Sequence, residues 1–497
     1  MLLCLALAAW TVHPLPFTLR NGETSRKPLP ATMPGGIAVF DYDGDGLLDL
    51  FFPNAGNGIS TLLRNKGGMN FQDVTQSSGI RVTGSAFAAT AADFDADGRV
   101  DLLVSGQKQV QLFRNEINSF KDVTASSGID NKGRWSVGAA WFDLENDGDL
   151  DLFLLNYLKW DPATEKVCLV NGKPDFCHPR YYQPEANALF RNNGNGTFTD
   201  ISSASGIGAH RGKGMGVAPA DFDGDGFIDL FVANDRVFNF FFRNRGDGTF
   251  AEEAFERGVA VPQDGKPPSA MGADAQDYNN DGLPDLIYTA LRDETFPLYR
   301  NRGKDFEEAT APSGLSVLTR LMAGWGIVFA DLDNDGWKDI AAARSDALSA
   351  TGGKSAAAKE PPSWFRNQGG GKFGRGDGWN AATPAMHRGL VAADLDNDGC
   401  LDAVIAALNA PARILRNPCA SGAHWLKVHA RGPVSRIRVG DQWRQTASTT
   451  LGYASSYVGP QHFGLGSATQ VEVEVFWRDG RRKTVRTESK RAVIIDP

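Results

Sequence analysis

Seven times the chain writes an acidic nonapeptide of one pattern, Asp-x-Asp-x-Asp-Gly-x-x-Asp. The copies are DYDGDGLLD at 41–49, DFDADGRVD at 93–101, DLENDGDLD at 143–151, DFDGDGFID at 221–229, DYNNDGLPD at 277–285, DLDNDGWKD at 331–339 and DLDNDGCLD at 394–402. Their first residues lie 52, 50, 78, 56, 54 and 63 positions apart. A self-similar period of this length constrains the fold more than any bulk property. An apolar residue followed by Arg-Asn trails each copy, at Arg64, Arg114, Arg191, Arg243, Arg300, Arg366 and Arg416. Five of these markers stand 21 to 23 residues behind the first Asp, and the third and sixth stand 48 and 35 behind. Repeats three and six therefore carry insertions, one over about 160–186 and an Ala/Ser/Lys/Pro-rich surface excursion around 345–363.

Between markers the segments are short and apolar or alternating: GIAVF, LDLFF, TLLRN and NFQDVT in the first repeat. Each reads as a strand, and four strands in about fifty residues is the arithmetic of a propeller blade. No stretch of ten residues in the repeat shows a 3.6 period, which excludes a helical solenoid. Six repeats continue past Arg-Asn to a strand starting near Phe71, Phe120, Phe198, Phe250, Phe306 and Phe373, and the seventh does not. The N-terminal PFTLRN places Phe17 24 residues before Asp41, close to the 21 to 27 found elsewhere. The expected fold is all-β: a seven-bladed β-propeller over 16–418, its last blade closed by the N-terminal strand. A small β-sandwich-like domain over 420–497 follows, from five or six strand-like runs.

In each nonapeptide, positions 1, 3 and 5 supply side-chain oxygens, Gly at 6 permits the reversal, position 7 offers its carbonyl and position 9 closes the shell. Oxygen-only ligands at this density suit a hard divalent ion, calcium before magnesium. The expected metal ligands are Asp41, Asp43, Asp45 and Asp49; Asp93, Asp95, Asp97 and Asp101; Asp143, Glu145, Asp147 and Asp151. They continue with Asp221, Asp223, Asp225 and Asp229; Asp277, Asn279, Asp281 and Asp285; Asp331, Asp333, Asp335 and Asp339; Asp394, Asp396, Asp398 and Asp402. A helix–loop–helix calcium hand would need Glu at position 12, where this chain has only apolar residues such as Phe52 and Val104. Apolar position 2 (Tyr42, Phe94, Leu144, Phe222, Tyr278, Leu332, Leu395) anchors each loop to its blade. Glu145 is longer than its counterparts and Asn279 is neutral, so those two sites should bind more weakly or with altered geometry.

The expected ligand positions hold 27 of the 59 acidic residues, and seven divalent ions would take the net charge from -8 to +6. Without them, clustered carboxylates repel one another, so ion binding contributes to folding. A negative balance argues against nucleic acid as a partner. MLLCLALAAW resembles the apolar core of a secretory leader without its basic segment, giving an expected leader at 1–12. No later run approaches the roughly 18 apolar residues of a membrane span. Beyond Cys4, the four cysteines allow three pairings, of which the local Cys168–Cys177 and Cys400–Cys419 is simplest. Disulfides would fit a secreted, periplasmic or cell-surface location.

The loops resemble FG-GAP/VCBS repeats, which are also used in integrin α-subunit propellers. HFGLGSATQVEVEVFWRDGRRKTV at 462–485 resembles the ASPIC/UnbV domain that follows such repeats. Together with MPGGIAVFDYDGDGLLDLFF near the start, the chain resembles the secreted cartilage acidic protein-like family over nearly its whole length. That resemblance implies a calcium-binding, exported propeller, with the loop residues above as ligands. HARGPVSRIRVG abbreviates a segment usual in the terminal domain, and the usual Trp-Pro-x-Gly turn reads Trp477-Arg478-Asp479-Gly480.

Fold alone does not assign chemistry. No GxSxG, HExxH or Gly-rich phosphate loop with Lys occurs, and the seven histidines share no spacing. His462 reads as a structural residue at a turn. Arg134, Arg211, Lys213, Arg320 and Arg388 each precede a strand entering a loop, which would let them ring a channel mouth and bind an acidic glycan. Trp160, Phe176, Tyr181 and Tyr182 of the third-repeat insertion would supply either a recognition ledge or packing under a long loop. Two functions follow: a non-enzymatic module that binds or adheres to a protein or glycan, or a secreted polysaccharide lyase acting at the channel mouth.

Overall fold

The computed structural model describes residues 9–117, 119–346, 359–379, 382–419, 422–446 and 448–497. The apolar start at 1–8 and most of the second insertion, 347–358, lie outside the described residues. Six sheets each contain four strands of one repeat, and a seventh joins three strands of the last repeat to the N-terminal strand. Blade one runs Ala38–Phe40, Asp49–Phe52, Thr61–Asn65 and Phe71–Asp73, antiparallel throughout. The inner strands are short and made of small residues, such as Ala86–Ala92 (AFAATAA) and Gly214–Ala220 (GMGVAPA). Seven strands converging on an axis leave room for little more than Gly, Ala and Val. Larger side chains, Phe51, Phe113, Trp141 and Tyr299 among them, fill the widening gaps between blades.

The ring closes as the sequence suggests, with a shifted register. Thr11–Thr18 completes blade seven, with Thr11 opposite Arg416 where blade one sets Gln72 opposite Arg64. The strand thus enters the blade at Trp10, not at Phe17. Trp10 packs on Trp379 at 5.5 Å between ring centroids, whereas Phe17 stacks on Phe52 at 4.6 Å, between blades seven and one. Thr11 and Val12, within the expected leader, belong to this strand.

The Arg-Asn markers have a structural reason. Each Asn amide donates to the loop carbonyl at position 8 of its own blade and to the position-2 carbonyl of the preceding blade. Asn115 reaches Tyr42 O at 2.8 Å, Asn192 Phe94 O at 2.9 Å and Asn244 Leu144 O at 2.9 Å. Asn301 reaches Phe222 O at 2.8 Å, Asn367 Tyr278 O at 2.9 Å and Asn417 Leu332 O at 2.7 Å. Asn65 completes the circle on Leu395 O at 2.8 Å. Seven buried amides thereby staple every blade to its neighbour. Both local disulfides are formed, Cys168–Cys177 and Cys400–Cys419.

The C-terminal residues build two sheets, one of three strands around His424–Ala430 and one of four around Gln470–Trp477. They pack over a common core of Leu426, Val428, Ile437, Phe463, Val473 and Val475, as a sandwich. One hairpin leaves it. Thr450–Leu451 and Ser455–Val458 enter the axis of the ring, and Ser455–Val458 pairs in parallel with the inner strand of blade one, Ala38 opposite Ser456. Thr449 Oγ1 donates to Ala91 O of blade two at 2.6 Å and Thr450 Oγ1 to Ala139 O of blade three at 2.7 Å. Ala273 N of blade five donates to Gly452 O at 3.1 Å. At the tip, Tyr453 is fully buried, its ring 5.2 Å from that of Trp325 in blade six. Glycine is required at two contacts: a Cβ on Gly36 would lie 2.2 Å from Ala454 O, and Gly452 has φ +59. From the opposite end the turn Leu29–Thr32 closes the axis, with Tyr453 Oη donating to Met33 O at 2.8 Å.

Candidate metal sites

All seven nonapeptides connect the first and second strands of their blades, so they stand together at one end of the ring. Position 1 folds the loop over itself: Asp41 Oδ1 accepts Gly44 N and Asp45 N at 2.8 and 3.2 Å, and Oδ2 accepts Gly46 N at 2.8 Å. Asp93, Asp143, Asp277 and Asp331 accept the amides of positions 5 and 6, and Asp221 and Asp394 that of position 6. Position 5 holds the amide of position 7, as Asp45 does for Leu47 N at 3.0 Å.

Position 9 opens the second strand of each blade and is buried there. Asp49 Oδ2 accepts Tyr42 N at 3.0 Å and Oδ1 accepts Asn65 N at 2.7 Å. Asp101, Asp151, Asp285, Asp339 and Asp402 repeat both bonds, and Asp229 repeats the second with Asn244 N. This residue clasps loop to blade as well as facing the loop. Sequence reasoning gave it only the second role.

Position 3 behaves differently. Oδ1 of Asp43, Asp95, Asp223 and Asp333 is buried with no hydrogen-bond partner. Buried carboxylate oxygens left so are costly unless a cation meets them. In blades one and four the carboxylates of positions 1, 3 and 5 bring oxygens within 4.8 Å of one another, and in blades two and six those of positions 1, 3 and 9 do. These four loops fit a hard divalent cation by donor type and by their unanswered oxygens. The other three depart. Glu145 stands 3.9 Å from Arg191, Asn279 leaves its amide nitrogen unpartnered, and Asp396 has both oxygens answered, by Arg416 Nε at 2.7 Å and Asp398 N at 3.3 Å.

The electrostatics point the same way. Burial, reinforced by neighbouring loop carboxylates, pushes Asp49, Asp101 and Asp402 up to about 8 and Asp151 and Asp331 to about 7. It holds Asp229, Asp285 and Asp339 well above the usual carboxylate range. A cation in the loop would reverse those shifts. Part of that charge is already answered by the Arg of the Arg-Asn pair: Arg64 lies 2.7 Å from Asp43 and 3.1 Å from Asp45, and Arg366 lies 2.5 Å from Asp333 and 3.2 Å from Asp335.

The terminal sandwich sits on this acidic end. Beyond the last propeller strand it carries twelve Lys and Arg against six Asp and Glu, so the rest of the chain bears -14 of the net -8. Gln445 exchanges hydrogen bonds with the backbone of Asp221 at 2.9 and 2.8 Å, and Arg478 Nε stands 3.8 Å from Asp143. Gly466 N donates to Asn334 O at 2.7 Å, and His462 lies within hydrogen-bond distance of Gly399 O at 3.1 Å. His462 is buried and pushed down to about 3 by that burial, as befits a structural, neutral ring. The loops of blades one and two instead border a cleft of about 560 Å³, faced across by Val428, Ile437 and Val458.

The five basic residues proposed to ring a channel do not come together as free cations. Arg388 is fully buried over Trp325, 3.7 Å from the ring centroid, and donates to Thr32 O. Lys213 is buried and donates to Pro179 O at 2.8 Å. Arg134 and Arg211 flank Glu185 at 3.9 and 3.4 Å, and Arg320 stands 4.0 Å from Asp293. In the first insertion Trp160 packs toward Trp135, Phe176 is buried and Tyr182 bonds Glu165, leaving Tyr181 alone of the four exposed.

With that geometry in place, comparison with known proteins is decisive. The FG-GAP-like repeat profile matches residues 41–104, 93–154, 171–232, 221–288, 277–342 and 344–405. The chain belongs to the FG-GAP-like repeat family. The ASPIC and UnbV profile matches residues 430–494 of this repeat protein. Cartilage acidic protein 1 of Homo sapiens is 25% identical over 499 residues, 91% of this chain and 70% of that protein. The Mus musculus protein of the same name is 24% identical over 513 residues, 94% of this chain and 74% of that one. Among solved structures, the Dos1 propeller aligns with TM-score 0.40 and 9% identity, covering 76% of each chain. The WD40 domain of Toxoplasma gondii coronin aligns with TM-score 0.42 and 9% identity, over 82% of this chain and 86% of that one. No helix among the described residues is long and apolar enough to cross a membrane.

Proposed function

We propose that the protein is an exported, calcium-stiffened propeller that works as a non-enzymatic binding module for an extracellular protein or glycan. Calcium would be held by the loop carboxylates, where it supplies charge neutralisation and ties the first hairpin of a blade together. The disulfides and the kinship with cartilage acidic proteins support a secreted, periplasmic or cell-surface location, with the apolar start of the chain as leader.

The observation that carries a binding role is the filled axis. The chain's own hairpin, tipped by Tyr453, occupies the place where a propeller enzyme would receive substrate. Arg388 and Lys213, the cations a lyase would need there, are committed to backbone carbonyls. One concave surface that remains is the cleft between the loops of blades one, two and seven and the sandwich, with apolar walls, the carboxylates of Asp41, Asp43 and Asp394, and the cations of Arg99 and Lys427. That composition suits recognition through shape and calcium-dependent contacts.

Glycan arrays and pull-down from the extracellular proteome, each with and without chelator, test this reading. Capture that needs calcium and weakens when Ile117, which stands exposed on the cleft, is replaced by Asp supports it. Release of unsaturated sugar products by the purified protein would instead establish the lyase.

A further inference from the structure

In blade seven a lysine ammonium hydrogen-bonds the position-1 carboxylate, where blade three brings Arg478 only within 3.8 Å of Asp143. Lys427, on the sandwich strand His424–Ala430, sends its ammonium to Asp394 Oδ2 at 2.8 Å and Asn397 Oδ1 at 2.7 Å. Both members of the Lys427–Asp394 pair are at least nine-tenths buried. Arg416 holds Asp396 Oδ2 at 2.7 Å and Asp398 Oδ2 at 3.0 Å. The remaining oxygens of these last two carboxylates accept Asp398 N at 3.3 Å and Cys400 N at 3.0 Å. Three carboxylates therefore meet two protein cations. Blade one sets the single Arg64 against Asp43 and Asp45, with no ammonium on Asp41, and Asp43 Oδ1 is left without a partner, as Asp394 Oδ1 is in blade seven.

We propose that the Lys427 ammonium takes the place of the divalent cation in blade seven, making this loop an ion-free socket that fastens the sandwich to the propeller. A fixed ammonium bonded to Asp394 repels a divalent ion entering the same few ångströms. The loop is also covered on its Gly399 side, while Asp394, Asn397 and Lys427 border the cleft. Trp425 lies so tightly on Gly399 that a Cβ there would fall 1.8 Å from its ring, and His462 covers the Gly399 carbonyl. The Cys400–Cys419 disulfide ties loop position 7 to the segment leading into the sandwich, a covalent fastener the other loops lack. Lysine and disulfide together do for blade seven what calcium would do elsewhere.

The test counts ions in the calcium-equilibrated full chain by mass spectrometry, and substitutes terbium with excitation through tryptophan. Lys427→Met is expected to bind one ion more per chain than the wild type. Trp425→Phe should leave wild-type terbium emission unchanged but remove the increment gained by Lys427→Met, since only an ion in loop seven lies beside that indole. A folded Lys427→Met with the wild-type ion count overturns the socket, as does wild-type emission that falls with Trp425→Phe. The second arm keeps Lys427 and decides the matter even if Lys427→Met does not fold. The socket presupposes calcium in other loops: wild-type protein free of every ion refutes that reading, whereas an ion in loop seven refutes the socket alone.

Discussion

Replacing Asn65 by Ala removes the staple that joins the first blade to the last. Its amide nitrogen donates to Leu48 O at 3.1 Å and Leu395 O at 2.8 Å, its oxygen accepts Gly67 N at 2.9 Å, and the residue is fully buried. Each lost bond costs about 1 kcal/mol net, and a buried carbonyl left without its donor adds to that. The sum is about 3 kcal/mol, a large part of the stability of an ordinary domain. Urea denaturation in saturating calcium measures it, with Asn301→Ala as a matched variant, because Asn301 makes the same bonds to Phe222 and Pro284. Asn193, at an exposed turn, is the control and should change stability by no more than about 0.5 kcal/mol. If Asn65→Ala and Asn193→Ala cost the same, the amide ring is not what closes the propeller.

The pH dependence of the ion-free protein has a definite sign. Asp49, Asp101 and Asp402 are raised to about 8 in the fold, so their contribution is complete below the unfolded value near 4 and is lost as pH rises through 8. Chelated protein should therefore melt higher at pH 5 than at pH 8.5, and calcium-saturated protein the reverse, because protons compete for the same oxygens. Scanning calorimetry at the two values checks both. Tyr453→Ala removes a fully buried ring and the donor to Met33 O, at a cost of about 3–5 kcal/mol. A near-neutral effect in thermal denaturation would mean the hairpin is not seated in the ring. Asp223→Ala should abolish one calcium-dependent increment of stability, whereas Glu145→Gln should leave the chelator response almost unchanged; equal effects in paired melts contradict the ranking of sites.

Most of the frame was legible in the sequence because it repeats. The acidic loops and the Arg-Asn pairs keep their spacing in five repeats, and the longer spacing in the third and sixth marks the insertions. The closing strand was legible in kind but not in register. Phe17 carried the expected spacing, yet Trp10 supplies the ring that packs on Trp379, and a lone aromatic in a short strand does not distinguish the two. The axial hairpin was invisible for a physical reason. Thr449-Thr450-Leu451-Gly452-Tyr453-Ala454-Ser455-Ser456 has no apolar period and reads as surface, but small residues are what a narrow axis admits. Arg388 misled for the converse reason: a charge expected just before an inner strand implied a solvated mouth, but Arg388 lies within the strand His387–Ala393, where a tryptophan face and three backbone and hydroxyl oxygens hold it buried. The second role of position 9 escaped notice because its partners, Tyr42 N and Asn65 N, are main-chain groups from distant positions.

The most direct measurement of the central claim is the melting temperature of calcium-equilibrated protein before and after exhaustive chelation at pH 7.5. Each site filled at one hundred times its Kd adds about 2.7 kcal/mol. Four filled loops therefore predict a fall of many degrees, restored by adding calcium back. An unchanged melt, from protein whose fold is intact on both sides of chelation, would contradict the account.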